Sequence, residues 1–286
     1  MSPRLAVTKT YKLYLGGAFV RSESGRSEMA ADKGGAWVAH VPRGSRKDVR
    51  DAVKAARGAQ AGWAAKSAYN RGQVLYRFAE ALESRAEELA RRAVGQQGMQ
   101  AAAARAEVAA AVDVLVHQAG WTDKLDAVLG SVNPVAAPFL SFTSPEPTGV
   151  VAVLAPDEPD LLGIVREVAP ALAAGNAVVA VVSRRWPLRS LDLGEVVGIS
   201  DVPAGVLNLV SGRMEELLEP LCGHRAVNAI VDATGDAATA VRVDELASET
   251  IKRVSRPNCG VDPGAGSLDR IEALVELKTA WHPVGS

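Results

Sequence analysis

The chain of 286 residues carries 48% hydrophobic and 23% charged residues, values typical of a globular protein that can bury a substantial core. Its net charge of −1 argues against nucleic-acid binding, because phosphate recognition requires clustered positive potential. The longest apolar runs, such as residues 177–182, are far shorter than the roughly 20 residues that span a bilayer, and residues 1–10 lack the apolar block of a secretory signal.

The metal-binding and redox residues are sparse. Cys222 and Cys259 lie far apart and form no CxxC pair, so the sequence predicts neither a disulfide framework nor a zinc site. None of the four histidines belongs to an HExxH or His-x-His motif. We therefore expect no metal site, and a cytoplasmic location fits this cysteine usage.

The N-terminal part of the chain predicts a hairpin followed by a helix. Residues 11–20 alternate in polarity around Gly16-Gly17, a pair typical of a tight turn between antiparallel strands. Ser45 with Asp48 three positions later is the pattern of a helix N-cap, and apolar residues at helical spacing continue to Trp63.

Two further helices and a β-ribbon are predicted next. Asn70 is expected to cap a helix whose apolar face extends to Leu89. An alanine-rich helix follows over about residues 101–129. Residues 132–148, rich in proline and in β-branched and aromatic residues, predict a β-ribbon.

A repeat of short apolar strands separated by helical stretches begins at Gly149. Runs without polar alternation are typical of parallel strands that crossover helices bury on both faces. The sequence therefore predicts an α/β fold with a doubly wound, Rossmann-like parallel sheet, although this fold hosts many unrelated functions. The predicted strands lie in residues 149–155, 177–182, 205–210 and 227–231.

Several segments resemble the nucleotide-binding domain of the aldehyde dehydrogenase superfamily. The segments 147–156, 168–176 and 201–212 carry the resemblance, and it continues to the opening segments 15–20 and 70–75. Together they place the similarity over about residues 10–255. The tail 271–281 is similar to the last strand of these enzymes, which joins their oligomerisation sheet. Only thirteen residues, 255–267, stand where the family has its catalytic domain, so the chain resembles a degenerate, truncated member.

The resemblance implies three parts of the chain. Residues 1–130 and 149–255 correspond to a degenerate nucleotide-binding domain. Residues 131–148 plus 268–283 correspond to the oligomerisation sheet, with the C-terminal strand completing an antiparallel ribbon. Residues 256–267 are predicted to form a loop that replaces the catalytic domain.

The family's chemistry, as the resemblance implies it, needs a cysteine nucleophile and a glutamate that activates water. The glutamate would follow Val254, where this chain reads Ser-Arg-Pro-Asn without a carboxylate. Cys222 and Cys259 stand outside any family context, and free cysteine usually packs as a small apolar residue. We expect no catalytic residue in this chain.

The positions that would hold a cofactor also depart from the family pattern. Asp157-Glu158 replaces a Trp-Asn pair, so an ionised carboxylate stands where an amide would donate to an oxyanion. Val181 and Arg184 align with a lysine and a glutamate that hold the adenosine ribose. At the start of a later helix, Gly235-Asp236 places a carboxylate where a phosphate would approach.

These substitutions predict no cofactor, with weak binding of NAD or NADP as the alternative. The candidate degenerate positions are Glu158, Val181, Arg184, Gly235 and Asp236. A basic turn that includes Arg184, Arg185 and Arg189 is a candidate for a 2′-phosphate site, but a solvated charge run is the favoured interpretation.

The sequence therefore predicts a non-catalytic structural or regulatory subunit. Both pieces of the docking sheet are retained, which favours association with a second copy or with a full-length aldehyde dehydrogenase. In the alternative, the tail only closes its own sheet. An NAD(P)-binding oxidoreductase-like protein with an altered cofactor site and a remnant without a selected role remain further alternatives.

Overall fold

A computed structural model describes residues 9–257 and 268–284. The described strands are β1 Leu13–Leu15, β2 Ala18–Val20, β3 Ser27–Ala31, β4 Trp37–Pro42, β5 Ser131–Asn133, β6 Phe139–Pro147, β7 Val150–Leu154, β8 Ala177–Val181, β9 Leu207–Val210, β10 Ala229–Asp232, β11 Arg253–Ser255 and β12 Val275–Pro283. The described helices are α1 Arg46–Ala64, α2 Ala68–Glu83, α3 Ala86–Gln97, α4 Ala101–Trp121, α5 Leu125–Leu129, α6 Asp160–Ala173, α7 Pro187–Ile199, α8 Met214–Cys222, α9 Ala237–Ser248 and α10 Asp269–Glu272.

The main sheet has seven strands in the order β11-β10-β7-β8-β9-β1-β2. The strands from β11 to β9 are parallel, whereas β1 pairs antiparallel with both β9 and β2. The four predicted apolar runs form β7 to β10, and all residues of these strands are buried. The prediction of a doubly wound α/β fold is confirmed, as is the hairpin over residues 11–20.

Two apolar clusters cover the two faces of the sheet. Alternation along β7 sends Val151 and Val153 to one cluster and Val150, Ala152 and Leu154 to the other, because successive side chains of a strand point to opposite faces. Helices α6 and α7 cover the first face with α2 to α4 packed outside them, while α1, α8 and α9 cover the second. Burial on both faces explains why the strands lack polar residues.

Helix starts follow the sequence in one case and not in another. At α1 the Ser45 side chain accepts from the Asp48 backbone, and the Asp48 carboxylate accepts from the Ser45 N–H at 2.8 Å, so the predicted cap is confirmed. The predicted cap at Asn70 is wrong. Ser67 is the N-cap of α2, and its hydroxyl accepts the Asn70 N–H at 3.2 Å. Both residue types are good caps, and the earlier one starts the helix.

The predicted helices over 70–89 and 101–129 are each divided in two. The first ends at Glu83, where the Ser84 hydroxyl bonds back to the Ala81 carbonyl at 2.7 Å. The second ends at Trp121, where the Thr122 hydroxyl bonds to the Ala119 carbonyl at 2.9 Å. Serine and threonine hydroxyls compete with the helical ladder for such carbonyls, and in both places a separate helix follows. The β3–β4 hairpin was not predicted.

A separate three-stranded antiparallel sheet has the order β12-β6-β5. The β12–β6 ladder is nine residues long, from Val275 opposite Pro147 to Pro283 opposite Phe139. The predicted ribbon and its pairing with the C-terminal strand are therefore present. Residues 258–267 of the predicted replacement loop lie outside the described residues. Within the described part of the chain, no helix is long and apolar enough to cross a membrane.

Candidate functional site

The carboxyl ends of the parallel strands define the candidate site. The chain proceeds from β7 through β8 to β9 on one side of β7, and then crosses to β10 on its other side. The helices that follow, α6 and α9, cover opposite faces of the sheet, so the topological switch point, which is a crevice in sheets of this kind, lies between the ends of β7 and β10. Ligands of doubly wound sheets bind in such a crevice at the topological switch point. The loops after β7, β8, β9 and β10 therefore form the candidate ligand site.

The loop after β7 is attached to the loop after β8 by Asp157. Its Oδ1 atom accepts the Ser183 hydroxyl at 2.7 Å and the Arg185 backbone N–H at 3.2 Å. Ser183 Oγ also accepts the Trp186 N–H at 2.9 Å, which fixes the turn before α7. The Asp157 carboxylate is therefore engaged in joining two loops.

Glu158 turns its carboxylate toward the same turn. Its Oε1 atom accepts the Trp186 indole N–H at 3.1 Å and lies 3.0 Å from an Arg185 guanidinium nitrogen. Both side chains of that ion pair are largely exposed, so the pair contributes little to stability. The Glu158 carboxylate accepts hydrogen bonds and has none to donate. The loss of the amide that would stabilise an oxyanion stays a prediction.

Val181 and Arg184 differ sharply in their surroundings. Val181 ends β8 and packs in the apolar cluster of the second face, where it has no polar group to offer. Arg184 lies three residues beyond the strand with its side chain 51% exposed, and its guanidinium is 3.4 Å from the Glu215 carboxylate. The two positions are near one another in sequence, but only Arg184 can contact a ligand in solution.

Arg189, which the sequence grouped with a possible 2′-phosphate site, is unavailable for that role. Its side chain is fully buried in α7 and bridges Asp160 and Glu107, with the latter at 2.8 Å. Burial raises the pKa of Asp160, and the guanidinium of Arg189 opposes that shift. A buried charge with two carboxylate partners is a structural group that holds α4, α6 and α7 together.

Gly235 and Asp236 shape the loop after β10. Gly235 has φ +68°, a left-handed conformation that glycine adopts without strain, and it follows a turn in which Thr234 donates to Asp232 at 2.6 Å. Asp236 is the N-cap of α9, and its carboxylate accepts the Thr239 N–H at 2.7 Å. This hydrogen bond lowers the pKa of Asp236. The carboxylate is thus ionised at the positive end of α9, as the sequence indicated.

The cysteine that the structure describes is unsuited to attack a substrate. Cys222 ends α8 and is fully buried, and burial raises its pKa to about 12. Only the thiolate is a good nucleophile, and a thiol with this pKa stays protonated near neutral pH. Cys259 lies outside the described residues. Among residues 9–257 and 268–284, no group of three or more His, Cys, Asp or Glu side chains is arranged to hold a metal ion.

One basic residue near these loops, Arg213, was not predicted as a candidate from the sequence. Arg213 follows Ser211-Gly212 after β9 and is the N-cap position of α8, where its side chain makes no capping hydrogen bond. It pairs with Glu28 of the unpredicted β3–β4 hairpin. A glycine between a strand and a helix start is the signal that could have indicated a ligand loop here.

Comparison with known proteins places the chain in a family. The profile of the Aldehyde dehydrogenase family matches residues 19–263, more than half of the chain. The chain belongs to the aldehyde dehydrogenase family. It is 34% identical to the hydroxyisobutyraldehyde dehydrogenase of Mycolicibacterium austroafricanum, over 92% of this chain and 53% of that protein. The resemblance that the sequence motifs indicated is therefore confirmed.

Solved aldehyde dehydrogenases share the fold. The structure superimposes with a TM-score of 0.82 on 3,6-anhydro-L-galactose dehydrogenase in complex with NADP, at 27% identity over 87% of this chain and 52% of that one. The same TM-score relates it to PnpE in complex with nicotinamide adenine dinucleotide, at 31% identity over 86% of this chain and 50% of that one. This chain spans about half the length of the curated relatives it matches.

These complexes overturn the expectation that no cofactor accompanies this chain, because they point to a nicotinamide cofactor rather than none. That expectation rested on substitutions at five positions, namely Glu158, Val181, Arg184, Gly235 and Asp236. A dinucleotide touches several loops, however, and the strand order that places those loops at one switch point is present. Losing one donor lowers an affinity by a factor without removing the site.

The donor set at the crevice fits a nicotinamide dinucleotide at one end. The guanidinium groups of Arg184 and Arg213, beside the ends of β8 and β9, are chemically suited to phosphate. At the end of β10, Asp236 offers a carboxylate that repels phosphate. The loops after β8 and β9 thus suit an anionic group of the dinucleotide, whereas Val181 offers the ribose no hydrogen bond and the end of β10 suits the pyrophosphate less well.

Proposed function

We propose that this aldehyde dehydrogenase family chain binds a nicotinamide dinucleotide, does not oxidise aldehydes by itself, and acts as a structural or regulatory subunit. The proposal rests on the hydrogen bonds that the carboxylates at the crevice make. Asp157, Glu158 and Asp236 are each engaged in hydrogen bonds that build the loops. A site of this kind retains its shape while lacking donors aimed at a developing negative charge.

Catalysis by the chain alone would require a nucleophile and a base. The inertness of Cys222 supports our proposal, because its thiol is buried and protonated at neutral pH. After β11 the chain continues with Arg256, which lies 2.6 Å from Asp244 and 3.4 Å from Asp232 in a structural ion-pair set on α9 and β10. A bound oxidised nicotinamide would accept hydride, but a substrate would first need activation by groups of this chain.

The small antiparallel sheet supports a role in association. Both of its faces carry exposed apolar side chains: Leu140 and Phe142 lie on one face, and Phe139 and Trp281 lie on the other. The rings of Phe139 and Trp281 contact each other edge to face, with centroids 6.1 Å apart. A sheet that shows apolar groups on both faces is typical of a protein interface. The proposed partner is a second copy of this chain or a full-length aldehyde dehydrogenase.

Calorimetric titration of the purified chain tests the dinucleotide part of the proposal. We expect at least one of NAD, NADH, NADP and NADPH to bind with a dissociation constant in the micromolar range, because the crevice and its basic loops are retained. Heat changes that stay at the dilution background with all four, at millimolar concentration, would remove this part. Adenosine without phosphate is the matched control and should bind much more weakly.

Mass measurement of the intact complex tests the subunit part. We expect the protein purified from its native source to have the mass of an oligomer, containing copies of this chain alone or together with a complete aldehyde dehydrogenase. A strictly monomeric protein at physiological concentration, with no family member bound, would contradict it.

A further inference from the structure

The outer edge of β12 is open to a second strand. β12 is an outer strand of the sheet β12-β6-β5, and among residues 9–257 and 268–284 only β6 pairs with it. An outer strand presents N–H and C=O groups that can form a ladder with another chain. The positions of these groups therefore determine which strand fits β12.

Hydrogen bonds at the two ends of β12 show which of its residues face outward. Just before the strand, the Leu274 carbonyl accepts the Thr148 N–H at 3.3 Å, and just after it, Val284 donates to the Pro138 carbonyl at 3.0 Å. Both bonds lie in line with the ladder to β6, whose nine pairs are consecutive. Even-numbered residues of β12 therefore direct their backbone groups toward β6, and odd-numbered residues direct theirs toward the free edge.

Two prolines of β6 agree with this alternation. Pro145 lies opposite Leu277, and Pro147 lies opposite Val275. Because proline has no N–H to donate, it fits only pairs whose backbone groups point away from each other. The odd-numbered residues of β12 are therefore the ones that a second strand would meet.

The free edge is bounded at both ends. At one end, the Val275 carbonyl already accepts a hydrogen bond from the Arg253 guanidinium. At the other end, Pro283 has no N–H. Between these ends, three residues each offer an outward N–H and an outward C=O: Leu277, Thr279 and Trp281.

A second copy of β12 can pair all of these groups in one register. Opposed residues of an antiparallel pair exchange N–H···O bonds. With a two-fold axis at Thr279, this residue faces its own counterpart, and Leu277 faces Trp281 of the second copy. Moving the axis by one residue would place Trp281 opposite Val275, whose carbonyl is engaged, or Leu277 opposite Pro283, which has no N–H. The edge is therefore complementary to itself in the register centred on Thr279.

The apolar side chains of β12 suit the same register. Leu277 and Trp281 are 58% and 59% exposed, and both lie on the face of the sheet that carries Phe139. In the register centred on Thr279, each Leu277 is opposite a Trp281. Such cross-strand pairs of aromatic and aliphatic side chains stabilise a sheet.

The charged side chains of β12 lie on the opposite face and also fit. Glu276 lies opposite His282 of the second copy, and Lys278 lies opposite Ala280. Like charges directly opposite each other destabilise a strand pair. This register brings no two like charges face to face.

We propose that two copies of this chain associate through the outer edges of β12, as an antiparallel pair centred on Thr279. The pair joins the two small sheets into one sheet of six strands, in the order β5-β6-β12-β12-β6-β5. The contact is isologous, so two copies close the assembly. This inference rests on the proposed association, and it names the partner and the contact surface.

Proline at the centre of the contact tests the backbone pairing. Thr279→Pro removes the outward N–H from both copies and should weaken self-association at least about ten-fold, because two hydrogen bonds are lost. Its ladder to β6 should remain, since residue 279 directs no N–H toward that strand. Thr279→Ala is the matched control, because it also removes the hydroxyl that lies 2.9 Å from the Thr143 hydroxyl but keeps the N–H. Self-association of this control should change less than about three-fold.

Sedimentation measures the self-association of both variants, and thermal unfolding shows whether each retains the fold. A second substitution tests the register and does not depend on how proline is tolerated. Opposed residues of a hydrogen-bonded pair have Cα atoms about 5.5 Å apart, within the range that a disulfide spans. In a Cys259→Ala background, Thr279→Cys should therefore give a disulfide-linked dimer under mild oxidation.

Leu277→Cys in the same background is the control for the register. Residue 277 faces residue 281 of the second copy, and its own counterpart is four residues, or about 13 Å, farther along the strand. This variant should therefore form little disulfide-linked dimer. Cross-linking at residue 277 that equals cross-linking at residue 279 would overturn the register.

The outcomes separate this inference from the proposed function. A dimer whose Thr279→Pro variant associates as tightly as Thr279→Ala would overturn the β12 contact and leave association through another surface standing. A chain that is monomeric alone but binds a complete aldehyde dehydrogenase would also overturn the inference, and the role as a subunit would stand. A monomer that binds no family member would remove both proposals.

Discussion

At the scale of single residues, Asp236 shows how one side chain stabilises the fold and hinders a ligand. Its carboxylate accepts the Thr239 N–H and so satisfies one of the free donors at the start of α9. A phosphate that approached this helix end would meet the same carboxylate, which is ionised because the hydrogen bond lowers its pKa. Cap and ligand therefore compete for the same end of the helix.

Replacing Asp236 should expose this competition. Asp236→Ser keeps a capping hydroxyl and removes the charge, so dinucleotide affinity should rise about two- to five-fold while the thermal unfolding temperature stays close to that of the parent. Asp236→Ala also removes the charge but loses the cap, and its unfolding temperature should fall. Calorimetric titration and thermal unfolding measure the two effects. Unchanged affinity in both variants would show that the ligand does not approach α9.

The pH dependence of the Asp236 contribution follows from the same bond. The folded pKa of Asp236 is lowered, so its contribution to stability is present above the pKa of the unfolded chain. That contribution is lost as the pH falls through the folded value. In Asp236→Ser the loss in this acid range should be smaller, because a hydroxyl does not titrate there.

At the scale of helices and strands, local sequence patterns predicted the presence of an element better than the residues at which it begins and ends. Ser45 and Asp48 marked the start of α1 because both halves of their capping box lie within four residues. The partners of Asp157, Ser183 and Arg185, are more than twenty positions away, and no local pattern indicates such bonds. The same limit hid Arg213, whose partner Glu28 lies on the β3–β4 hairpin.

The three-stranded sheet is the element on which the proposed association rests. The ribbon over residues 131–148 was predicted from its composition and from the resemblance, and its pairing with the C-terminal strand from the resemblance; the strands do pair over nine residues. Its apolar groups lie on both faces, unlike a sheet that covers a core with one face and meets water with the other. Association would remove these groups from water, a gain of about 25 cal/mol per Å² of apolar surface.

Charged substitutions on each face should dissociate the proposed assembly. Phe142→Glu and Trp281→Glu should each weaken self-association or binding of a full-length family member at least about ten-fold, because each places a charge inside the contact. Sedimentation of the purified chain, or of its mixture with the partner, measures the change. Tyr69→Glu is the matched control, since this tyrosine is an exposed aromatic residue on α2. An assembly that survives both sheet variants would exclude this surface.

At the scale of the whole molecule, the fold and the chemistry differ in how far the sequence predicts them. The parallel sheet follows from four apolar runs, because only burial on both faces is compatible with such composition. The expectation of no cofactor was wrong, because it followed from substitutions at separate positions, whereas a dinucleotide is recognised by the arrangement of several loops. The nature of the site emerges only when β7 to β10 lie side by side.

The purified chain should show no aldehyde oxidation by itself. With NAD or NADP and an excess of a simple aldehyde such as propanal, formation of reduced nicotinamide should not exceed that in a protein-free control. The physical reason is that the Cys222 thiol is buried with a pKa of about 12, and the loop carboxylates at the crevice accept hydrogen bonds where a developing oxyanion needs donors.

Two cysteine variants make this expectation decisive. Turnover in the purified chain that disappears in Cys222→Ala or Cys259→Ala, with thermal unfolding retained, would show that a thiol of this chain attacks the aldehyde. Turnover that appears only when a complete aldehyde dehydrogenase is added, and is unaffected by either variant, would instead assign the chemistry to the partner. In that case the contribution of this chain would be measured as a change in the partner's kcat or KM, which Phe142→Glu should abolish by preventing contact.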